Sequence, residues 1–332
     1  MRPPIDGQLL AAVLGCYPIA EPYVLDEFES GKRNDSFLVQ DGAGSRFILR
    51  RYRRNPDQAR IVFQLRFQQA LRGIGYPTAE VIESAGGQLL VTEEGSPWVL
   101  FEHIVGNQLD FDRMGQIEEA GRRLAEFHAR TEAVHLEAVE IDINRSPRRW
   151  WTHGDQDLGE IETLFRELDT GDELAYLRAW HDRLLREWPL ARLDTLATGW
   201  VHGDYHGRNV LFVGDKMTGL FDFDVLGRRI FGADLAKGLF TFGRQSRLSR
   251  HIRPDAARRF LVEYARIRPL PPDEVYALPM LSALIWAPHA PYYPMIRRDG
   301  EDPVLYFRHH VENMRELSAE MERLLPSLDL GR

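Results

Sequence analysis

The chain has 332 residues, of which 44% are hydrophobic and 28% charged, an ordinary composition for a soluble globular protein with room for two lobes or domains. Its formal charge of −8 argues against nucleic acid as a primary partner, and no apolar run approaches the ~20 residues of a membrane span. The N-terminus lacks the order of a signal peptide and the single cysteine, Cys16, cannot form an internal disulfide, so we expect a cytoplasmic protein with no membrane partner.

The first hundred residues predict short strands and two helices. Residues 8–13 form the first predicted helix, and Pro56 precedes a longer one that ends before Gly73 and Gly75. The β-prone runs, separated by turn-rich segments, are residues 23–29, 36–40, 46–52, 81–84, 88–92 and 97–104. Gly86-Gly87 has the composition of a hairpin turn.

Beyond Gly106 the apolar spacing becomes helical. The predicted helices are residues 115–131, 157–187, 233–242, 255–267, 272–287 and 302–325. A β-hairpin interrupts them, with strands 209–213 and 218–223 around a turn at 214–216. This order of predicted strands and helices indicates an α+β, two-lobed fold. It has a β-rich N-terminal lobe (1–101), a hinge (102–106) and a mainly helical C-terminal lobe (107–332). A ligand is expected in the cleft between the lobes.

Two acidic motifs carry the chemistry. The first is His202-Gly203-Asp204-Tyr205-His206-Gly207-Arg208-Asn209-Val210-Leu211, and the second is Leu220-Phe221-Asp222-Phe223-Asp224. Phosphoryl transfer uses one carboxylate to orient a hydroxyl, and an amide and a second carboxylate to hold Mg²⁺ through oxygen. Because Asn209 begins one strand of the hairpin and Asp222 lies near the end of the other, antiparallel pairing should bring both within reach of one ion.

These motifs, with the order of elements over nearly the whole chain, resemble the aminoglycoside phosphotransferase and choline kinase superfamily, the small-molecule branch of the protein-kinase-like fold. The resemblance implies ATP and Mg²⁺ as cofactors and Asp204 as the catalytic base. It implies Asn209 and Asp222 as metal ligands, with Asp224 assisting a second metal. His206 stands where protein kinases place a phosphate-contacting lysine, so it either touches the transferred phosphate or braces the loop.

The same resemblance assigns two supporting residues. His202 is expected to be a buried histidine that bonds the backbone of the catalytic loop. Asp234, in Gly232-Ala233-Asp234-Leu235-Ala236, resembles the aspartate that anchors this loop from the next helix.

In the N-terminal lobe the resemblance assigns nucleotide contacts. Arg50, or less favourably Arg51, stands in place of the phosphate-binding lysine, and Gln64 is its expected hydrogen-bond partner. Lys32 lies in a polar segment that could cover the phosphates. Glu102 and Ile104 lie in the hinge, whose main chain is expected to bind adenine.

Several functions remain open at this stage. The acceptor could be an aminoglycoside, choline or ethanolamine, homoserine, methylthioribose, another sugar, or a protein Ser/Thr, because fold does not choose among them. His202, Asp204 and His206 could instead form a metal-hydrolase site, although that leaves Asn209 and Asp222 without a role. A nucleotide-binding pseudokinase scaffold is a third reading.

Two further groups invite a binding role. Tyr292-Tyr293 is interpreted as a loop pair that could line the acceptor pocket, and the basic stretch 244–258 as a solvated helix and loop face. The oligomeric state is not predicted.

Overall fold

The computed structural model describes residues 6–21, 23–27, 34–53, 57–136 and 148–328. Its N-terminal part is built on one antiparallel sheet, with the strand order β1-β2-β3-β6-β4 and with β5 also paired to β6. The strands are β1 (Val24–Glu27), β2 (Asn34–Gln40), β3 (Arg46–Tyr52), β4 (Val81–Ile82), β5 (Val91–Glu93) and β6 (Ser96–Glu102).

Strand alternation places the side chains of β3 on two faces. Leu49 packs with helix α1 (Gly7–Leu14) on one face, whereas Tyr52 packs with helix α2 (Gln58–Gly73) on the other. Arg50, two residues before Tyr52, shares the α2 face. The core therefore turns Arg50 toward α2.

The predicted hairpin at Gly86-Gly87 is wrong as a strand pairing. The turn exists, since the Ser84 N–H donates to the Gln88 carbonyl at 2.8 Å, but β4 and β5 both pair with β6 instead of with each other. The tight hairpin lies between β5 and β6, where Glu94 and Gly95 have φ of 48° and 71°. Positive φ at both central residues is the requirement of a type I′ turn.

The rest of the chain is mainly helical, which confirms the predicted α+β class. Its helices are α3 (Met114–Arg130), α4 (Arg149–Thr152), α5 (Gly154–Phe165), α6 (Gly171–Glu187), α7 (Leu190–Leu193), α8 (Phe231–Gly243), α9 (Pro254–Ile267), α10 (Pro272–Leu284), α11 (Tyr292–Arg298) and α12 (Pro303–Leu324). The single helix predicted over 157–187 is two helices, because the chain turns after Phe165. The Thr170 hydroxyl donates to the Phe165 carbonyl at 2.9 Å and so satisfies a helix-end acceptor.

Two short antiparallel pairs lie within the helical part. The predicted hairpin is present as β8 (Val210–Val213) and β9 (Lys216–Leu220), with Val210 opposite Leu220. A second pair, not predicted, joins β7 (Thr198–Val201) to β10 (Gly227–Ile230). These pairs fix both ends of the segments 202–209 and 221–226, which contain the two acidic motifs.

The helices do not have the length and apolar character that crossing a membrane requires, within the described ranges.

Candidate active site

The loop between β7 and β8 begins with a turn that requires glycine. Gly203 has φ of 78°, and a Cβ there would lie 2.6 Å from the Val225 carbonyl oxygen. Only glycine combines a left-handed backbone with so close an approach. The loop is therefore pressed against the segment that follows the second acidic motif.

Asp234, in the first turn of α8, holds this loop by its backbone. Its Oδ2 accepts from the His202 N–H at 2.6 Å and its Oδ1 accepts from the Gly203 N–H at 2.7 Å. Burial opposes the charge on Asp234, but the contacts with His128 and with the Gly203 N–H outweigh it and lower the pKa of the Asp234 carboxyl. Asp234 is thus a buried anion whose two carboxylate oxygens both accept from the backbone of the loop.

His202 ties the two acidic motifs together. Its Nε2–H donates to the Phe221 carbonyl at 3.0 Å, while its Nδ1 accepts from the Asp204 N–H at 3.2 Å. Burial lowers the pKa of His202, which keeps the imidazole neutral in this arrangement. Both ring nitrogens are used by backbone groups, so His202 is not free to bind a metal.

A buried polar chain extends behind Asp234. His128 Nε2 lies 3.5 Å from Asp234 Oδ2, and its Nδ1 lies 2.7 Å from the Tyr264 hydroxyl. Burial lowers the pKa of His128, so it contributes as a neutral ring. This support was not predicted, because it depends on the packing of α3 against α8 and α9.

Asp204 is held at both carboxylate oxygens. Lys237 donates to Oδ1, whereas His206 Nε2 and Asn209 Nδ2 lie 3.4 Å and 3.3 Å from Oδ2. Burial opposes ionisation, but the hydrogen bond from His206 and the charge of Lys237 outweigh it and hold the pKa of Asp204 well below its usual value. Asp204 is therefore an oriented carboxylate that stays ionised at neutral pH.

Asn209 and Asp222 are brought to one end of the β8–β9 hairpin. The Phe221 N–H donates to the Asn209 carbonyl at 3.0 Å, so Asp222 is the next residue along from this pair. Asp222 has φ of 67°, a left-handed conformation that is uncommon outside glycine and is concentrated at functional sites. The backbone thus turns Asp222 away from the regular strand.

The donor set at this end suits a hard divalent cation. Asn209 Nδ2 donates to the Asp204 carbonyl at 3.0 Å, which leaves the amide oxygen available to a cation. The Asp222 side chain is 34% exposed and supplies carboxylate oxygen. Amide and carboxylate oxygens are the ligands that Mg²⁺ takes.

Arg50 reaches this carboxylate from the other lobe. Its Nη2 lies 3.0 Å from Asp222 Oδ1 and 3.0 Å from Asp224 Oδ2. Burial opposes the charge on Arg50, but Tyr52, Asp224 and Asp222 outweigh it and raise its pKa. Arg51 lies on the opposite face of β3, over the Trp98 ring, and so points away from Asp222.

The expected Arg50–Gln64 hydrogen bond is replaced by another arrangement. Gln64 Nε2 donates to the Asp224 carbonyl at 3.2 Å, because Arg50 is drawn to the two carboxylates. Arg60 Nη2 donates to the same carbonyl, and Asn34 Nδ2 donates to Asp224 Oδ2 at 3.1 Å. Asp224, which was expected beside a second metal, is thus hydrogen-bonded by four side chains of the N-terminal lobe. The contacts from Asn34 and Arg60 were not predicted from the sequence.

Of the other three residues expected to contact the nucleotide, the structure describes two. The Glu102 N–H already donates to the Glu80 carbonyl at 2.9 Å, whereas Ile104 follows the end of β6 in the segment that connects the lobes. Lys32 lies outside the described residues.

The remaining sequence interpretations separate into core and surface. Tyr292-Tyr293 begins α11 instead of lying in a loop, and Tyr293 is buried against Phe165 with ring centroids 4.8 Å apart. In the basic stretch, Arg250 and Arg259 form ion pairs with Glu316 and Glu118.

A metal-hydrolase site receives no support. Within the described residues, the His, Cys, Asp and Glu side chains form no group of three or more that could hold a metal.

A cavity of about 770 Å³ lies along the outer edge of α2 and β4, and its lining does not include the two acidic motifs. Gln69, Arg72 and Glu83 are among the residues that line it.

Comparison with known proteins decides the family. The sequence profile described as "Phosphotransferase enzyme family" matches residues 24–270. The chain belongs to this family. As a member of the phosphotransferase enzyme family, it is a small-molecule kinase that acts on hydroxyl groups.

Similar proteins agree with this placement. The chain is 30% identical to a homoserine kinase of Caulobacter sp. (strain K31), over 84% of the chain and 82% of that protein. It is 29% identical to a homoserine kinase of Parvibaculum lavamentivorans, with the same coverage.

Solved structures share the two-lobed, protein-kinase-like fold. A microcompartment-associated aminopropanol kinase has a TM-score of 0.69 at 20% identity, over 98% of this chain and 100% of that one. Choline kinase from Cryptosporidium parvum has a TM-score of 0.66 at 13% identity, over 96% and 97%. At these identities the likeness supports the fold alone.

Proposed function

We propose that this phosphotransferase moves the γ-phosphate of ATP, in the presence of Mg²⁺, to the hydroxyl of a small amino alcohol. The observation that carries the proposal is the contact between Asp204 and Asn209, joined to the backbone bond between Asn209 and Phe221. These two contacts bring the Asp204 carboxylate and the Asn209 amide to the end of the hairpin at which Asp222 lies.

The roles follow from the positions of the side chains. Asp204 orients the acceptor hydroxyl and receives its proton as the new phosphorus–oxygen bond forms, while the bond from the γ-phosphorus to the bridging oxygen breaks and ADP leaves. Asn209 and Asp222 would hold the metal through oxygen, and the metal supplies charge neutralisation on the phosphates when bound. His206, 3.4 Å from Asp204 Oδ2, braces the carboxylate and lies beside the path of the transferred group.

Arg50 is the proposed cation for the nucleotide phosphates. A guanidinium suits phosphate oxygens because its planar fork can donate two parallel hydrogen bonds. It now pairs with Asp222 and Asp224, so a phosphate would compete with these carboxylates for the same donors. Asp224 is proposed as a ligand of a second metal only in a state in which its contacts with Arg50 and Asn34 are broken.

Homoserine is the first acceptor to test. The most similar relatives in sequence include homoserine kinases that match over more than four-fifths of both chains. The two solved structures described above are named as kinases of aminopropanol and of choline, so these compounds are tested beside homoserine.

The test is a radiolabelled transfer assay from ATP with Mg²⁺ across a panel of hydroxyl compounds. The panel holds homoserine, aminopropanol, choline, ethanolamine, methylthioribose, aminoglycosides and a Ser/Thr peptide, with Asp204→Ala as the blank. We expect Asp204-dependent labelling of an amino alcohol. Labelling confined to the peptide or to aminoglycosides would refute the acceptor class, and no labelling above the blank would refute the transfer itself.

A further inference from the structure

Helix α8 contacts the catalytic loop along one stripe of side chains. Asp234 accepts from the N–H groups of residues 202 and 203, and Lys237 contacts Asp204. The Thr241 hydroxyl, which donates to the Lys237 carbonyl at 2.8 Å, lies 3.3 Å from the Tyr205 carbonyl. Residues three and four apart on a helix lie on the same face. Successive turns of α8 therefore hold successive residues of the loop.

Lys237 is an unusual residue for this helix. Eleven of the 13 residues of α8 are buried, and Lys237 is one of the two that are not. Only three of the 42 lysine and arginine residues in the chain are lysines, namely Lys32, Lys216 and Lys237. A chain that otherwise uses arginine thus has a lysine beside Asp204.

The chemistry of lysine fits this position. Lys237 donates to Oδ1 of Asp204 and its Nζ also lies 3.4 Å from the Gly203 carbonyl. An ammonium is a compact point charge, whereas a guanidinium would spread over both carboxylate oxygens. Oδ2 of Asp204 consequently remains on the side of His206 and Asn209.

We propose that Lys237 is a positioning residue for the transfer reaction: it fixes the rotation of the Asp204 carboxylate so that one oxygen faces the acceptor hydroxyl. The inference rests on the proposed function of Asp204. The side chains of Lys237 and Asp204 are 22% and 32% exposed, so an acceptor can reach the pair from solvent.

The charged and titratable groups around Asp204 come from two elements. Lys237 faces it from α8, while His206 and the neutral His202 face it from the loop, together with the uncharged Asn209. Removal of Lys237 deletes the cation at Oδ1 and leaves only the loop residues beside Asp204. The Asp204 carboxylate should then rotate more freely.

The kinetic test compares Lys237→Met with Lys237→Arg, and uses Lys216→Met, at an exposed lysine, as the matched control. We expect Lys237→Met to lower kcat about 10- to 100-fold with little change in the KM for ATP, as a misplaced reacting group does. The KM for the acceptor should also change little, because the proposed role of Lys237 is to orient Asp204 and not to bind substrate. Lys237→Arg, which keeps the cation beside Asp204, should recover part of the lost kcat.

A folded Lys237→Met variant with wild-type kcat would overturn the proposal. A loss that appears in the KM for ATP and for the acceptor instead of in kcat would overturn it equally.

A second measurement does not depend on turnover. Selective ¹³Cε-lysine labelling gives three lysine signals, and Lys237→Arg identifies the one from Lys237. We expect Asp204→Asn to shift the Lys237 signal and to leave the Lys216 signal in place. An unshifted Lys237 signal overturns the contact, even if Lys237→Met fails to fold. A shifted signal in a protein that transfers no phosphate supports the contact and places the failure in the proposed function.

Discussion

Arg50 in the N-terminal lobe and Asp222 in the C-terminal lobe form an ion pair, with Nη2 3.0 Å from Oδ1. The Arg50 side chain is 16% exposed and the Asp222 side chain 34%, so the guanidinium is mostly buried at the junction of the lobes and the carboxylate is half-buried. A nucleotide phosphate offers the same kind of partner to the guanidinium as the carboxylate does. The pair therefore joins the proposed phosphate cation directly to the proposed metal ligand.

Replacement of Arg50 should weaken nucleotide binding. Arg50→Met should raise the KM for ATP by about 10- to 100-fold, because the phosphates lose a charge-assisted hydrogen bond that is worth about 1.5–3 kcal/mol. Arg50→Lys should fall between this variant and the wild type, since it keeps the charge without the fork. Initial rates at varied ATP measure the effect.

The control for this prediction is Arg51→Lys, at the neighbouring position on the opposite face of β3. Equal KM values for ATP in Arg50→Lys, Arg51→Lys and the wild type would contradict the assignment.

The two acidic residues of the second motif should differ in their response to amidation. Asp222→Asn removes a proposed metal ligand and should lower kcat by about 10³-fold, with a higher Mg²⁺ requirement. Asp224→Asn should cost about 10- to 100-fold, as expected for a group that supports a metal site from outside it. Mg²⁺ titrations of both variants measure the difference. Equal losses and equal Mg²⁺ shifts would instead make Asp224 a full ligand.

Amidation of Asp234 should loosen the catalytic loop. An asparagine side chain has one acceptor oxygen, so either the His202 or the Gly203 N–H would lose its partner, at about 1–3 kcal/mol of unfolding free energy. We expect kcat to fall about 10- to 100-fold with little change in the KM for ATP. Urea unfolding and initial rates check both effects. Asp155→Asn, at a carboxylate that is 96% exposed, is the control, and a similar response in the two variants would refute the anchoring role.

Part of this arrangement follows from local sequence rules. Pairing of β8 with β9 is enough to predict that Asn209 and Asp222 lie near the same end of the hairpin, although a bulge between Leu211 and Phe212 shifts the register by one residue. Strand alternation in β3 likewise separates Arg50 from Arg51 once one face of the sheet is assigned. Each of these predictions uses only local rules, namely the pairing of two strands in a hairpin and the alternation of side chains along one strand.

The missed contacts depend on how separate elements pack. Lys237 reaches Asp204 only because α8 lies under the loop, and Asn34 reaches Asp224 only because the lobes meet there. Gln64 has the spacing of a partner for Arg50, yet two carboxylates compete more strongly for a guanidinium than an amide does. The rarity of lysine was the one sequence signal that could have singled out Lys237.

Stability should fall at mildly acidic pH through His310. Burial, and then His309, lower the pKa of His310 to about 4, and its Nδ1 lies 3.0 Å from the Tyr293 hydroxyl. Between about pH 6.5, the usual histidine value, and about 4, the unfolded chain binds a proton that the folded chain does not. The unfolding free energy contributed by this site is therefore present above that window and is lost as the pH falls through it.

His310→Gln removes the titration while it keeps a polar side chain. Urea unfolding from pH 7 to 4 should give a shallower pH dependence in this variant than in the wild type. Identical slopes would contradict the role of His310.

The most direct test of the account is a single-turnover transfer measurement on Asp204→Asn with ATP, Mg²⁺ and the best acceptor from the panel. This variant keeps the shape of the side chain and removes its charge. We expect the transfer rate to fall about 10²- to 10⁴-fold, the usual contribution of a positioned base, while the affinity for ATP with Mg²⁺ stays within about 3-fold of wild type. Wild-type transfer by Asp204→Asn would contradict the central claim that this carboxylate receives the acceptor proton.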